Sequence, residues 1–203
     1  MSAAWVVHKF GGTSLANAER YRQVATIMQA EEGPRKVLIV SAMHKVTDAL
    51  IALADLARTR DNTYLACADA LKARHVETVE ALLPREEGLL KVLESDFRDI
   101  KEILRGVYLS RAYSDRTLEL IAGYGELWSA QMLNAHLNSL GIASSWLDAR
   151  TVLTVEPAAS SPRSAITWSI TLGWRENSSA RLAKRGSTFG RSRRVPRRGT
   201  SRR

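Results

Sequence analysis

The chain has 203 residues, 45% of them hydrophobic and 25% charged, which suits a soluble globular protein with a buried core. Its formal charge of +9 points at first to nucleic acid or an anionic membrane, but residues 161–203 hold 12 of the 30 Lys and Arg with one acid, Glu176, leaving residues 1–160 at a net −2. A single cysteine, Cys67, excludes an internal disulfide and a cysteine-only metal site and agrees with a reducing, cytoplasmic setting; no secretory leader or run of ~20 apolar residues is read either.

Trp5-Val6-Val7-His8-Lys9-Phe10 reads as a buried strand entering a tight turn at Gly11-Gly12. Leu15, Ala18, Tyr21, Val24 and Met28 then recur at helical steps, with Ser14 as the expected cap, and Glu31-Glu32-Gly33-Pro34 as the stop. Val37-Leu38-Ile39-Val40 is apolar throughout, as expected of a strand in a parallel sheet covered on both faces. Thr47 or Asp48 can start a helix that ends at Asp61-Asn62. Three more helical stretches follow, over residues 63–83, 89–109 and about 115–140. Gly141 is the expected C-cap of the last, and residues 142–147 and 152–155 suggest a return to the sheet. The pattern is an α/β layered domain with a helical excursion.

Past Glu156-Pro157 no helical or strand period is read, and the Arg, Ser, Pro and Gly content of residues 181–203 is that of a disordered segment. Residues 1–157 are therefore expected to be the folded part and residues 158–203 an irregular, Arg/Ser-rich tail, out of frame or disordered.

Lys9-Phe10-Gly11-Gly12-Thr13-Ser14 lies between a strand and a helix, where free amides favour anions and glycines let backbone approach a phosphate. It fits neither the Walker spacing nor the dinucleotide fingerprint, so the residues alone leave a phosphate cradle and a structural turn both open. Gly123 and Gly125 each cost a helix about 1 kcal/mol relative to Ala, which implies a close approach there. Glu126, among Ile121, Ala122, Leu127 and Trp128, calls for a cationic partner if it is buried. His8, His44, His75 and His136 lack metal-ligand spacing, so no protein metal site is expected. Ser41 and Ser129 have no histidine and acid partners for hydrolysis. Asp96, Asp99 and Glu102 interleave with Arg98 and Lys101 as a solvated, ion-paired face, and Cys67 reads as a small buried hydrophobe.

Three stretches together resemble the aspartate kinases of the amino acid kinase family. They are Lys9 to Ser14 followed by Leu15-Ala-Asn-Ala-Glu-Arg20, the strand and loop from Val37 to Thr47, and Gly123-Tyr-Gly-Glu-Leu-Trp-Ser-Ala-Gln131; Asp148-Ala-Arg150 follows where that family has a similar element. The third looks closest to the kinase half of bifunctional aspartokinase–homoserine dehydrogenases. The resemblance implies a three-layer αβα kinase-like domain, incomplete here, that uses ATP with Mg2+ to phosphorylate the side-chain carboxylate of L-aspartate. It implies that Lys9 neutralises the transferred phosphoryl group, and that Phe10, Gly11, Gly12, Thr13 and Ser14 help to hold the nucleotide. Ser41, Thr47 and Glu126 would face aspartate, Glu126 taking its ammonium group. The resemblance implies homo-oligomers for full-length members and leaves the oligomeric state of this chain open.

The family's later Leu-Gly-Arg-Gly-Gly-Ser-Asp segment and its regulatory domains have no counterpart in this sequence, so a truncated, frameshifted form with impaired or no activity is expected. The competing class is a non-enzymatic binding domain with a basic nucleic-acid-binding arm. Ten basic and no acidic residues over 181–203 make nonspecific polyanion binding expected, without a specific nucleic acid target.

Overall fold

The computed structural model describes residues 5–31 and 35–151, together with the backbone of residues 169–174. Strand β1 (Trp5–Phe10) leads through a single 3-10 turn (Gly12–Leu15) into helix α1 (Ala18–Ala30), and β2 (Arg35–Val40) follows. Four helices come next: α2 (Val46–Arg58), α3 (Thr63–Leu82), α4 (Glu87–Ser110) and α5 (Asp115–Ser139). The chain then returns through β3 (Ser144–Asp148) and β4 (Ser169–Trp174) to a sheet of order β1-β2-β4-β3.

Only β1 and β2 pair in parallel, in the register Lys9 to Ile39 and Phe10 to Val40; β4 runs antiparallel to both of its neighbours. The sheet is therefore mixed among the described residues rather than wholly parallel. β4 also corrects the expectation that nothing past residue 157 has a strand period. Ser169, Thr171 and Gly173 alternate with Ile170, Leu172 and Trp174, a period of two that the surrounding Arg- and Ser-rich composition conceals. The disorder expected for residues 181–203 and the sheet return expected at residues 152–155 lie outside the described residues.

One apolar core joins the five helices to one sheet face. Leu38 and Val40 are buried there, opposite His8 and Phe10 in register. The other face carries Trp5 and Val7, which are 47% and 60% exposed. Of the three expected layers, the described residues thus supply the sheet and one helical layer. Within the helical layer the Trp128 and Phe97 rings stack at 4.5 Å, and the edge of His75 meets Trp128 at 4.8 Å. Deleting such a buried aromatic costs about 3–5 kcal/mol, which makes this cluster a principal anchor of α3, α4 and α5.

Local rules were overridden at several points. Asn17, not Ser14, caps α1, its side chain accepting from the Arg20 amide at 3.1 Å, because the turn over Gly12–Leu15 uses up Ser14. α2 starts one residue before Thr47, with Lys45 at its N-cap in the left-handed region at φ 66°. Asp96 is not part of a solvated face: it is half-buried, accepts a 2.8 Å hydrogen bond from the Trp128 indole, and burial raises its pKa. Of the two basic residues of that stretch, Lys101 crosses to Asp69 on α3 at 2.6 Å. Cys67 is exposed, because the inward face of α3 runs through Ala68, Leu71 and His75. Gly141, at φ 75°, does end α5, its amide donating to the Asn138 carbonyl.

Glycine at 125 is dictated by packing. A methyl group there would lie 2.7 Å from the Ala42 Cβ and 3.1 Å from the Val46 Cγ1, and Ala42 has no flexible side chain with which to yield. Gly106 in α4 meets nothing within 4 Å and is exposed. Gly125→Ala is therefore expected to destabilise the chain by about 1–3 kcal/mol, overpacking outweighing the gain in helix propensity. Gly106→Ala should stabilise by roughly 0.5–1 kcal/mol. Urea denaturation of the two variants checks both signs.

Candidate functional site

The parallel strands β1 and β2 end side by side, and the loops that leave their C-terminal ends meet. The Ser41 amide donates to the Phe10 carbonyl at 3.1 Å, extending the ladder by one step. Beyond it Gly12 backs onto the second loop so closely that a Cβ would sit 2.9 Å from the Ala42 carbonyl oxygen. Gly12 thus owes its identity to loop packing. Gly11 differs: its backbone is extended, at φ −79°, and a Cβ there would meet nothing within 4 Å. Neither its own conformation nor a neighbour demands glycine at that position, and open space lies over it.

From the helical side, α5 brings Glu126 to the same place. Its residue is only 9% exposed, and the backbone amides of Glu126 itself and of Ala42 lie near its carboxylate and favour the charged form. Burial pushes its pKa up to about 6, the lost hydration outweighing the pull of the two amides. Among the described residues no cation comes within ion-pair distance of it, so the expected partner is not supplied from within.

The hydroxyls of Thr13, Ser14, Ser41 and Thr47 line these loops with no hydrogen bond to a described residue, Ser14, Ser41 and Thr47 half-buried and Thr13 exposed. Val46 donates its amide to the Met43 carbonyl at 3.0 Å, closing the turn that sets Thr47 into the first turn of α2. Lys9 is exposed and sits on the sheet face of Trp5 and Val7, whereas Phe10 turns to the helical face. The structure therefore gathers Gly12, Ser41 and Glu126 around Ala42, and places Lys9 at the strand end on the far side of the sheet.

Two contributors were not singled out from the sequence. One is the Ala42 amide, which lies near the Glu126 carboxylate and which no residue pattern can reveal. The other is Arg74 on α3, whose guanidinium donates to the His44 carbonyl at 2.9 Å and to the Ala16 carbonyl at 3.1 Å. Its only sequence signal is a charge set between the apolar positions Leu71 and His75.

A model of the amino acid kinase family matches residues 4–180. The chain belongs to the amino acid kinase family. The match takes in β4 as well as the three motifs, and the aspartate kinase resemblance read from those motifs is borne out by relatives. The bifunctional aspartokinase/homoserine dehydrogenase 1 of Arabidopsis thaliana, a chloroplastic protein, is 39% identical over 159 residues, which is 77% of this chain and 18% of the relative. The bifunctional aspartokinase/homoserine dehydrogenase 2 of Escherichia coli is 34% identical over 155 residues, 75% of this chain and 18% of the relative. The chain thus spans about a fifth of the length of these curated relatives. Among solved structures, E. coli aspartokinase III in complex with aspartate and ADP superposes with a TM-score of 0.58 at 26% identity, over 68% of this chain and 30% of that one. In this family member no helix among the described residues is long and apolar enough to cross a membrane.

Glu126 ties the site to stability. Its folded pKa lies above the ordinary value of 4.5, so between about pH 4.5 and 6 the folded state holds more protons than the unfolded one, and stability falls as pH rises through that window. Glu126→Gln keeps an acceptor for the Ala42 amide and removes the charge. It is expected to raise stability at pH 7.5 by about 1–2 kcal/mol and to flatten the pH dependence between 4.5 and 6. Urea midpoints of both proteins at pH 4.5 and 7.5 check this.

Proposed function

We propose that these loops and α5 form an aspartate kinase site, which transfers the γ-phosphoryl group of ATP to the side-chain carboxylate of L-aspartate. A carboxylate oxygen of aspartate attacks the γ-phosphorus, the bond to the β,γ-bridging oxygen breaks, and aspartyl phosphate and ADP result. This is the opening step towards lysine, threonine and methionine. The observation that carries the reading is Glu126: among the described residues this buried carboxylate has backbone amides near it and no cation, and the α-ammonium group of an amino acid would supply that partner.

The remaining roles follow from position. Ser41 and Thr47 offer hydroxyls to the aspartate carboxylates from the loop that also holds Glu126 through Ala42. The turn from Gly11 to Ser14 offers amides and the hydroxyls of Thr13 and Ser14 to nucleotide phosphates, and the open space over Gly11 admits an oxygen close to its backbone. Phe10 contributes through its backbone, which joins this turn to Ser41. Lys9, at the end of β1, supplies positive charge to the transferred group, and catalysis rests on such placement of charge. Mg2+ would be held by the nucleotide phosphates and would neutralise their charge. The complex of aspartokinase III with aspartate and ADP supports the same pair of ligands.

Because the sequence leads to the expectation of an impaired or inactive form, binding is a sharper test than turnover. Calorimetric titration at neutral pH should show saturable binding of L-aspartate and of MgADP. Glu126→Gln should weaken aspartate roughly 30-fold or more while leaving MgADP nearly unchanged, and Lys9→Ala should leave aspartate nearly unchanged while weakening the magnesium complex of a non-hydrolysable ATP analogue, which keeps the γ-phosphoryl group, more than MgADP. Aspartate binding that is absent from the parent chain, or indifferent to Glu126→Gln, contradicts the reading.

A further inference from the structure

The glycine turn and the serine loop come from strands 30 residues apart, yet one side chain from a third element grips both. Arg74 lies midway along α3, is half-buried, and gives one terminal nitrogen to the His44 carbonyl and the other to the Ala16 carbonyl, at 2.9 and 3.1 Å. His44 directly follows Ala42 and Met43. Ala16 directly follows the turn Gly12–Leu15. On their inner side the two loops already touch where Gly12 meets the Ala42 carbonyl and the His44 backbone, so Arg74 closes a ring with Gly12 at one point and the guanidinium at the other.

The geometry of the group matters. A guanidinium is planar and rigid, with its terminal nitrogens a fixed distance apart, and each donates along a set direction; an ammonium is a point donor on a flexible stem. Two carbonyls on two loops held by one fork have their separation set by that fork. Neither carbonyl belongs to a regular sheet ladder, and both are the kind of group that water would otherwise satisfy in a loosened loop. The middle of α3 is in turn fixed by the buried His75, next in sequence, which packs against Phe97 and Trp128. The helical excursion therefore has a mechanical link to the loops through Arg74.

We propose that Arg74 is a positioning residue that sets the spacing between the Gly11–Ala16 turn and the Ser41–Lys45 loop, so that the two loops loosen together when it is lost. Combined with the reading of these loops as nucleotide and aspartate sites, on which this second consequence rests, Arg74 makes the affinities for the two ligands fall together although it touches neither.

Hydrogen exchange read by mass spectrometry on the full chain without ligand tests the loop coupling alone. In Arg74→Gln, amides in both loops should exchange roughly ten-fold faster, while those of α4 and the second half of α5 keep their parent rates. Arg74→Lys, which keeps the charge and the stem, should restore protection in one loop at most, and it decides the matter if the glutamine variant does not fold. Faster exchange across all helices alike, or unchanged exchange in both loops, overturns the proposal, as does full protection of both loops in Arg74→Lys. Titrations of the lysine variant with MgADP and with L-aspartate then test the second consequence: both should weaken, and loss of one alone overturns it. If the parent chain binds neither ligand, the kinase reading fails and the exchange result still decides the role of Arg74.

Discussion

Helix α5 comes close enough to bring Glu126 near the Ala42 amide because the residue before this glutamate has no side chain. Any larger group at position 125 would press on Ala42 and Val46 and lift α5 off the loop. Close approach of helix and loop thus leaves a carboxylate largely shielded from water, where among the described residues the donors near it are amides. By the size of its pKa displacement this costs about 2 kcal/mol at neutral pH, a large fraction of the margin of a small domain. A fold does not keep such a group for stability, since a neutral side chain of the same shape would serve better. The arrangement makes sense as a receptor for a cation, and the rest of the site is disposed around it.

The surrounding architecture divides the work between two layers. Parallel pairing of β1 and β2 brings the ends of both strands to one place, and the crevice beyond such strand ends is where α/β proteins bind ligands. The helices then fix the loops: α5 presses on Ala42, and α3 ties His44 to Ala16 through Arg74. Lys9 stands apart from this cluster, on the sheet face that carries Trp5 and Val7. Its position at the strand end, rather than any contact with Glu126, is what relates it to the glycine turn.

Much of this was legible before the structure. The strand, the double glycine and the following helix announce themselves because buried strands and amphipathic helices have different apolar periods. Two glycines in the middle of a helix announce a close approach, since nothing local favours them there, and Gly125 meets one. What stayed hidden depends on backbone or on distant contacts. An amide near the Glu126 carboxylate belongs to Ala42, whose side chain says nothing about it. Arg74 looks like any charge at the edge of an amphipathic helix until the carbonyls of Ala16 and His44 are placed around it. Asp96 read as solvated because its neighbours in sequence are charged, yet the indole of Trp128 draws it inward. β4 was masked by composition, a regional signal that six alternating residues cannot outweigh. Ser14 was passed over as a cap because the turn after Gly11 takes the chain one step further, to Asn17.

The most direct test of the account is the titration of the Glu126 side-chain carboxyl by carbon-detected NMR, with Glu126→Gln to assign the signal, in the absence and presence of L-aspartate. The account predicts a pKa near 6 without ligand, and a marked fall when the amino acid's ammonium group supplies the missing charge. An ordinary carboxyl pKa without ligand, or a raised one that saturating aspartate leaves unmoved, would contradict it.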